Sequence, residues 1–161
     1  MTKTQFREIF DSHFDTVRNY IFYRSGDQEL ATDIAQETFM RVWEKQLLRE
    51  KSKMKALLFK IAGDIFVSSY RKKKIELNFK LNLKPSADFE NPEEKMKFNE
   101  LQNNYQKALR KLPEKQRTVF LMSRMDGMKY YEIAEALSLS VKAVEKRMKH
   151  ALAYFKKALN R

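Results

Sequence analysis

Cysteine is absent from this chain, which excludes a disulfide framework and any thiolate metal site and leaves methionine as its only redox-active side chain. Glycine and proline occur only three times each. So few breakers, among abundant Leu, Lys, Glu, Met and Phe, predict long helices and argue against an all-β fold. Histidine occurs only at His13 and His150, there is no glycine-rich phosphate loop, and no Asp/His cluster has ligand spacing. The residues therefore assemble no catalytic or metal centre, and the expectation is a non-enzyme with no cofactor. No stretch approaches the roughly 18 uncharged apolar residues of a membrane span, and the N-terminal MTKTQFREIFDSHF carries charges throughout. Neither export nor stable membrane insertion is expected, and a reducing cytoplasm is the expected location.

What the chain has in excess is positive charge. Its 161 residues are 43% apolar, enough for one core or two small ones, and carry a formal net charge of +12 with a pI near 9.8. Such a balance suits a polyanionic partner, nucleic acid or an anionic membrane surface, and charge alone does not choose between them. The charge is uneven. Lys and Arg outnumber Asp and Glu by 15 to 10 over residues 1–74 and by 14 to 5 over 107–161, while acidic residues lead by 6 to 4 in between. The acidic middle also holds Pro85, Ser86, Asp88, Asn91 and Pro92, a loop or linker composition that places a domain boundary there.

In the first block, Phe6, Ile9, Phe10, Phe14, Val17, Tyr20 and Ile21 recur with helical spacing and predict an amphipathic helix over 3–24, ended by Gly26. Asp27 can cap a second helix with a buried stripe of Leu30, Ala31, Ile34, Ala35, Thr38, Phe39 and Val42, closed by Trp43, which is assigned to packing. A third helix after Ser52 puts Met54, Leu57, Leu58, Ile61, Ala62, Ile65 and Phe66 on one face and runs into Arg71, Lys72, Lys73 and Lys74. Three such helices enclose a core by packing as a bundle. Beyond it, Ile75, Leu77, Phe79, Leu81 and Leu83 alternate with polar residues, a strand period with no second strand to pair. Two readings stay open: an arm laying its apolar side on the first bundle, or a segment that docks into a partner.

The second block reads as four helices. Phe98, Leu101, Tyr105, Ala108, Leu109 and Leu112 mark one; Pro113 opens the next, which carries Val119, Phe120, Met122 and Met125 and stops at Asp126-Gly127. Then comes YYEIAEALSLSVKAVEKRMK, residues 130–149, whose small and apolar residues fall where a helix-turn-helix needs them. Ala134 is small where two helices cross, Leu139 sits in the turn, and Val144 faces back from the second helix. Ser140 can cap that second helix, predicted over Val141 to about Leu159 with Val141, Val144, Met148, Leu152, Phe155 and Leu159 inward. Left facing outward are Lys142, Ala143, Glu145, Lys146, Lys149 and His150, a mostly basic face for a DNA major groove. Two positions are weak: Ser138 stands where a turn of this kind commonly uses glycine, and Lys129 stands where Ser or Thr would cap the first helix.

The tail LRKLPEKQRTVFLMSRMDGMKYYEIAEALSLSVKAVEKRMKHALAYFKKAL resembles the promoter-recognition domain of bacterial sigma factors of the extracytoplasmic-function (ECF) group. Independently, DQELATDIAQETFMRVWE resembles that group's polymerase-binding helix, and FKIAGDIFVSSYRKKK its promoter-melting helix. The motifs stand in the family's order and cover nearly the whole chain. The resemblance implies that Asp33, Gln36, Glu37 and Arg41 contact core RNA polymerase at a coiled coil of its largest subunit. It implies that the third helix meets the −10 promoter element through Asp64 and the charges of Arg71, Lys72, Lys73 and Lys74, with a base-accepting loop over Lys45–Ser52 where Gln46, Arg49 and Lys51 reach DNA. It implies that Lys142, Lys146, Arg147 and Lys149, with Ala143, Glu145 and His150 beside them, bind the −35 element. The chain departs from the family at Asp64, where an Asn is common, at Ser68 in place of an Asp, and at Ala143 in place of a Thr.

The expectation is thus an all-α chain of two small helical domains: residues 1–74 a three-helix bundle corresponding to sigma region 2, 75–95 a linker, and 96–161 a four-helix domain corresponding to sigma region 4. Its expected partners are core RNA polymerase, promoter DNA and an anti-sigma factor, with no small-molecule substrate. The competing reading is a stand-alone helix-turn-helix regulator that binds an operator as a dimer.

Overall fold

The computed structural model describes residues 1–70, 77–79 and 90–160. Arg71, Lys72, Lys73 and Lys74, and all but residues 77–79 of the alternating segment, lie outside the described residues. Seven α-helices and one π-helical turn account for the regular structure there, with no strand among the described residues. The all-α expectation is met.

Helix α1 (Lys3–Ser25) starts from a capping box: Thr2 Oγ1 accepts from the Gln5 N–H at 3.1 Å, and Gln5 Oε1 accepts from the Thr2 N–H at 2.9 Å. Gly26, at φ 71°, ends it in the left-handed region. Asp27 then caps α2 (Gln28–Glu44), accepting from the Leu30 N–H at 3.1 Å. Every residue of the expected α2 stripe is buried, Leu30, Ala31, Ile34, Ala35, Thr38, Phe39 and Val42. Phe39 sits under three rings of α1, with centroids 6.4, 5.1 and 5.8 Å from Phe6, Phe10 and Phe14. Trp43 packs edge-on against Phe6 at 5.2 Å, in keeping with its assignment to packing.

Helix α3 (Lys51–Ile65) begins at Lys51, without a side-chain cap, and passes into the π-helical turn Phe66–Tyr70. Its buried face differs from the expected one. Phe59 and Gly63 are buried, whereas Leu57 and Ile61 are only half-buried. Tyr20 accounts for this: its ring lies 4.8 Å from that of Phe59, and a Cβ on Gly63 would meet the Tyr20 hydroxyl at 3.3 Å and Arg24 Nη1 at 3.2 Å.

In the second half, α4 (Pro92–Lys111) is capped by Asn91 and begins four residues before the expected boundary at 96. Only its last turns pack. Ala108 and Leu109 are buried, while Met96 and Leu101 are 71% and 55% exposed, so Leu101 is not the core residue its spacing suggests. Pro113 occupies the cap position of α5 (Glu114–Arg124) rather than its first turn, because its ψ of 142° is extended. Met125 is exposed, and Leu121 and Arg117 are buried in its stead. Gly127 takes a φ of 64°. Helices α6 (Tyr130–Leu137) and α7 (Val141–Leu159) match the expected bounds. The inward stripe of α7 is Val144, Met148, Ala151 and Phe155; Val141 and Leu152 point outward. Phe155 joins the core through Phe120 at 4.5 Å and Tyr105 at 5.5 Å.

The two halves touch. Helix α5 packs along α1 and α6 faces α3. Arg117 donates from Nε to the Tyr23 carbonyl at 2.8 Å, from Nη2 to the Arg24 carbonyl at 2.8 Å, and from Nη1 to the Leu112 carbonyl at 3.1 Å. Burial pulls its pKa down to about 10 against the opposing pull of Glu114. Asp126 accepts from the Tyr23 hydroxyl at 2.8 Å and from Asn19 Nδ2 at 3.1 Å. Desolvation pushes the Asp126 carboxyl above its usual range, and those two donors and Lys55 work against the rise. Arg24 pairs with Glu114 at 2.6 Å.

The aromatic cap on Phe39 carries a prediction. Phe39→Ala removes the ring beneath Phe6, Phe10 and Phe14 and should destabilise the chain by about 3–5 kcal/mol, read as a lowered midpoint in urea unfolding.

Candidate nucleic-acid interface

The helix-turn-helix is built as its residues dictate. α6 ends at Ser138, which takes the left-handed conformation at φ 55° and ψ 45° without being glycine. The Leu139 N–H returns to the Ala134 carbonyl at 2.8 Å, which seats Leu139 between the two helices. Ser140 Oγ accepts from the Ala143 N–H at 3.1 Å and caps α7. Ala134, at the crossing, is buried, as is Val144 facing back from α7. Lys129 offers no acceptor to α6, but Glu132 Oε1 reaches back to the Lys129 N–H at 3.2 Å and supplies half of a capping box.

With Val144 and Met148 turned inward, helical geometry sends Lys142, Glu145, Lys146, Lys149 and His150 outward, and all five are exposed. Ala143 and Arg147 are half-buried. Arg147 turns toward a cleft that it lines with Tyr20, Arg24 and Glu114, so it stands at the edge of the basic face rather than at its centre. Three lysines, with Arg147 at the edge, against one carboxylate leave this face positive. No ion pair neutralises them among the described residues. Such a surface attracts phosphate and leaves Lys side chains free to reach base edges.

Among the described residues, those expected at the −10 element are not gathered. Lys51 opens α3 and Asp64 nearly ends it, which at 1.5 Å per residue separates them by about 20 Å. Arg49 is exposed and donates to the Leu48 carbonyl at 3.1 Å. Gln46 is already engaged, accepting from the N-terminal ammonium at 2.7 Å and donating to the Trp43 carbonyl at 2.6 Å. Asp64 is exposed on a cleft that it shares with Lys60 on α3 and with Leu137 and Ser138 of α6. Lys60, four residues before Asp64 and so on the same face, was not singled out from the sequence; its i, i+4 spacing is the signal.

On α2, Asp33 and Gln36 are exposed, and Glu37 and Arg41 are half-buried and paired with each other at 2.8 Å. Met40, 58% exposed four residues past Gln36, extends this face toward an apolar groove lined by Phe6, Phe10 and Trp43. Sequence reasoning missed Met40 because a lone exposed Met breaks no pattern.

Residues 9–75 match the family model for sigma-70 region 2, and residues 102–154 the model for sigma-70 region 4. The chain is 28% identical over 151 residues to the ferric citrate uptake sigma factor FecI of Escherichia coli (strain K12), covering 92% of this chain and 87% of that protein. It is 28% identical over 165 residues to the ECF RNA polymerase sigma factor SigW of Bacillus subtilis (strain 168), covering 96% and 88%. In fold it is similar to the sigma factor RpoE from Bartonella quintana, solved in complex with the anti-sigma factor NepR, with a TM-score of 0.69, 21% identity and 97% of each chain covered.

The turn and cap make opposite predictions for the same motif. Ser138→Gly should relieve the left-handed backbone and stabilise the chain by about 1 kcal/mol, raising the melting temperature by about 2–4 °C. Ser140→Ala should cost about 1 kcal/mol through the lost cap, read in the same thermal melts.

Proposed function

The chain belongs to the sigma-70 family of bacterial RNA polymerase sigma factors, in its ECF group, and from that membership we propose that it binds core polymerase, directs it to promoters and takes part in opening the duplex. It acts as an alternative sigma factor in transcription initiation, by binding rather than by catalysis. The observation that carries this reading is the presence of region 2 and region 4 in one chain, in family order, with an exposed basic helix in the second. A stand-alone helix-turn-helix regulator explains the second half equally well and leaves region 2 without a purpose.

Within this reading, residues 1–74 serve as region 2, 75–95 as linker and 96–161 as region 4. Asp33, Gln36, Glu37 and Arg41 meet the polymerase. Lys142, Lys146 and Lys149 reach the −35 element, with Ala143, Glu145, Arg147 and His150 around them. A Lys facing a guanine edge supplies about 1–3 kcal/mol of discrimination, while phosphate contacts add affinity without sequence information. Ala143 presents a methyl in place of a hydroxyl, which removes one phosphate hydrogen bond. Arg49, Lys51, Asp64 and the run Arg71, Lys72, Lys73 and Lys74 serve the −10 element. There the carboxylate of Asp64 accepts hydrogen bonds but repels phosphate, so base preference at that position differs from that of an Asn. An anti-sigma regulator is expected by analogy with the RpoE–NepR pair.

Run-off transcription with purified core polymerase on genomic promoter fragments tests the reading, and a transcript that depends on this protein is expected. Its absence from every fragment would refute the assignment. Lys146→Glu should abolish upstream-element binding in mobility-shift assays while co-purification with core polymerase is unchanged.

A further inference from the structure

The second half holds a cleft that none of the roles assigned above uses. It lies between α4 and the last turns of α7 and encloses about 530 Å³, within the roughly 300–1,000 Å³ usual for small-molecule sites. Two short side chains make the hollow, Ala108 on α4 and Ala158 on α7. Around it, Asn104, Lys107 and Lys111 recur at helical spacing along one face of α4, and Tyr154 and Lys157 do the same on α7.

The charge of this cleft is one-sided. Lys107, Lys111 and Lys157 are exposed, no carboxylate lines the cleft, and none of the three lysines is in an ion pair among the described residues. Part of this has an ordinary cause: Lys111 and Lys157 stand in the last turns of their helices, where a cation offsets the negative end of the helix dipole. Lys107 stands a turn earlier, where that effect has faded, and the dipole requires neither the hollow nor the uncharged groups beside it. Tyr154 is half-buried, with its ring edge-on to Phe155 at 6.1 Å. Among the described residues, its hydroxyl and the Asn104 amide have no hydrogen-bond partner.

Ammonium groups, an aromatic ring and an amide around one hollow match the parts of a nucleotide. Lysine holds phosphate as a point charge. An aromatic ring gives a base a face to stack on. The amide presents a donor and an acceptor side by side, the pattern that pairs with an edge of adenine. The DNA face lies elsewhere, since Lys146 precedes Lys157 by about three turns, or roughly 16 Å along α7.

We propose that this cleft is a binding site for an adenine nucleoside polyphosphate, with the phosphates on Lys107, Lys111 and Lys157 and the base held by Tyr154 and Asn104. Such a ligand docks on the second half without covering the recognition helix. The site is independent of the sigma-factor reading, and its test reads no transcription.

The test uses the full chain with ATP as the probe. At roughly 0.15 M salt, isothermal titration calorimetry should give a single site. Inorganic tripolyphosphate and adenosine should each bind at least about tenfold more weakly than ATP, and GTP should bind more weakly too. In NMR spectra, amide shifts on adding ATP should fall on residues 104–111 and 154–159 and leave 142–150 in place. Lys107→Gln with Lys157→Gln, both at exposed positions, should weaken ATP and tripolyphosphate alike by at least about tenfold. Tyr154→Leu should bring ATP down to the level of tripolyphosphate. Asn104→Ala, at an exposed position that leaves the core untouched, should remove the preference for ATP over GTP. Absence of binding by ATP would overturn the site. So would shifts centred on 142–150, which place the phosphates on the DNA face, or tripolyphosphate binding as tightly as ATP, which marks a surface that attracts any polyanion. Equal binding of ATP and GTP by the parent would overturn the adenine assignment.

Discussion

A buried guanidinium is the constraint around which the two halves are arranged. Taking Arg117 out of water is unfavourable enough to pull its pKa down to about 10, and three backbone carbonyls offset that cost. Two of them belong to the C-terminal end of α1, where unpaired carbonyls and the helix dipole both favour a cation. The third precedes α5, so a single side chain ties the end of one helix to the start of another. Nine residues on, about 13 Å along the helix, Asp126 makes the second attachment to α1, through Tyr23 and Asn19. Two anchors at opposite ends of α5 fix its direction as well as its position, and α5 runs back along α1.

The orientation of the helix-turn-helix follows from that of α5. Phe120 on α5 packs on Phe155 of α7, and Val144 and Met148 continue the same inward face toward the motif's turn. Once α5 is set against α1, α7 must present Lys142, Lys146 and Lys149 away from the first half, and α6 must fall onto α3. The basic face is therefore open for a reason other than its own sequence. The edge residue Arg147 marks the limit of that face, since it already turns toward the cleft with Arg24 and Glu114.

How much of this was legible in the sequence depended on whether the partner was local. The stripe of α2 could be read residue by residue, because one helix face against one core produces an uninterrupted period. The turn at Ser138 was legible as a left-handed position because helix-turn-helix spacing demands one. The buried state of Phe59 and Gly63 was not, since it is imposed by Tyr20 and Arg24 from another helix. Leu101 was misread for the opposite reason: α4 has apolar spacing along its whole length, but only its final turns find something to pack on. Arg117 was invisible, because a charged residue on an amphipathic helix reads as solvent-facing until its three acceptors are seen. The alternating segment announced an extended arm with apolar residues to place. Of its described residues, Phe79 lies in the core in the manner of the arm reading. In the candidate site, the basic face of α7 was readable from periodicity, whereas Lys51 and Asp64, expected at the −10 element, lie at opposite ends of α3 and share no local pattern.

The junction between the halves differs in chemistry from the two aromatic centres that flank it. Each half keeps its own aromatic centre, Phe39 beneath the rings of α1 and Phe155 between Phe120 and Tyr105, so neither centre draws a ring from the other half. The groups that join α1 to α5 are mostly carbonyls, a carboxylate, a guanidinium and a phenol, whose hydrogen bonds each involve a charged partner and contribute about 1.5–3 kcal/mol. An apolar junction of equal extent would instead expose surface on opening, at about 25 cal/mol for every Å². Phe79 adds an apolar contribution from the chain that connects the halves, its ring against Phe22 of α1 and over the Arg117 guanidinium. Placing a buried ring of the connector over the guanidinium keeps water from the Arg117 hydrogen bonds, which strengthens them in their low-dielectric setting.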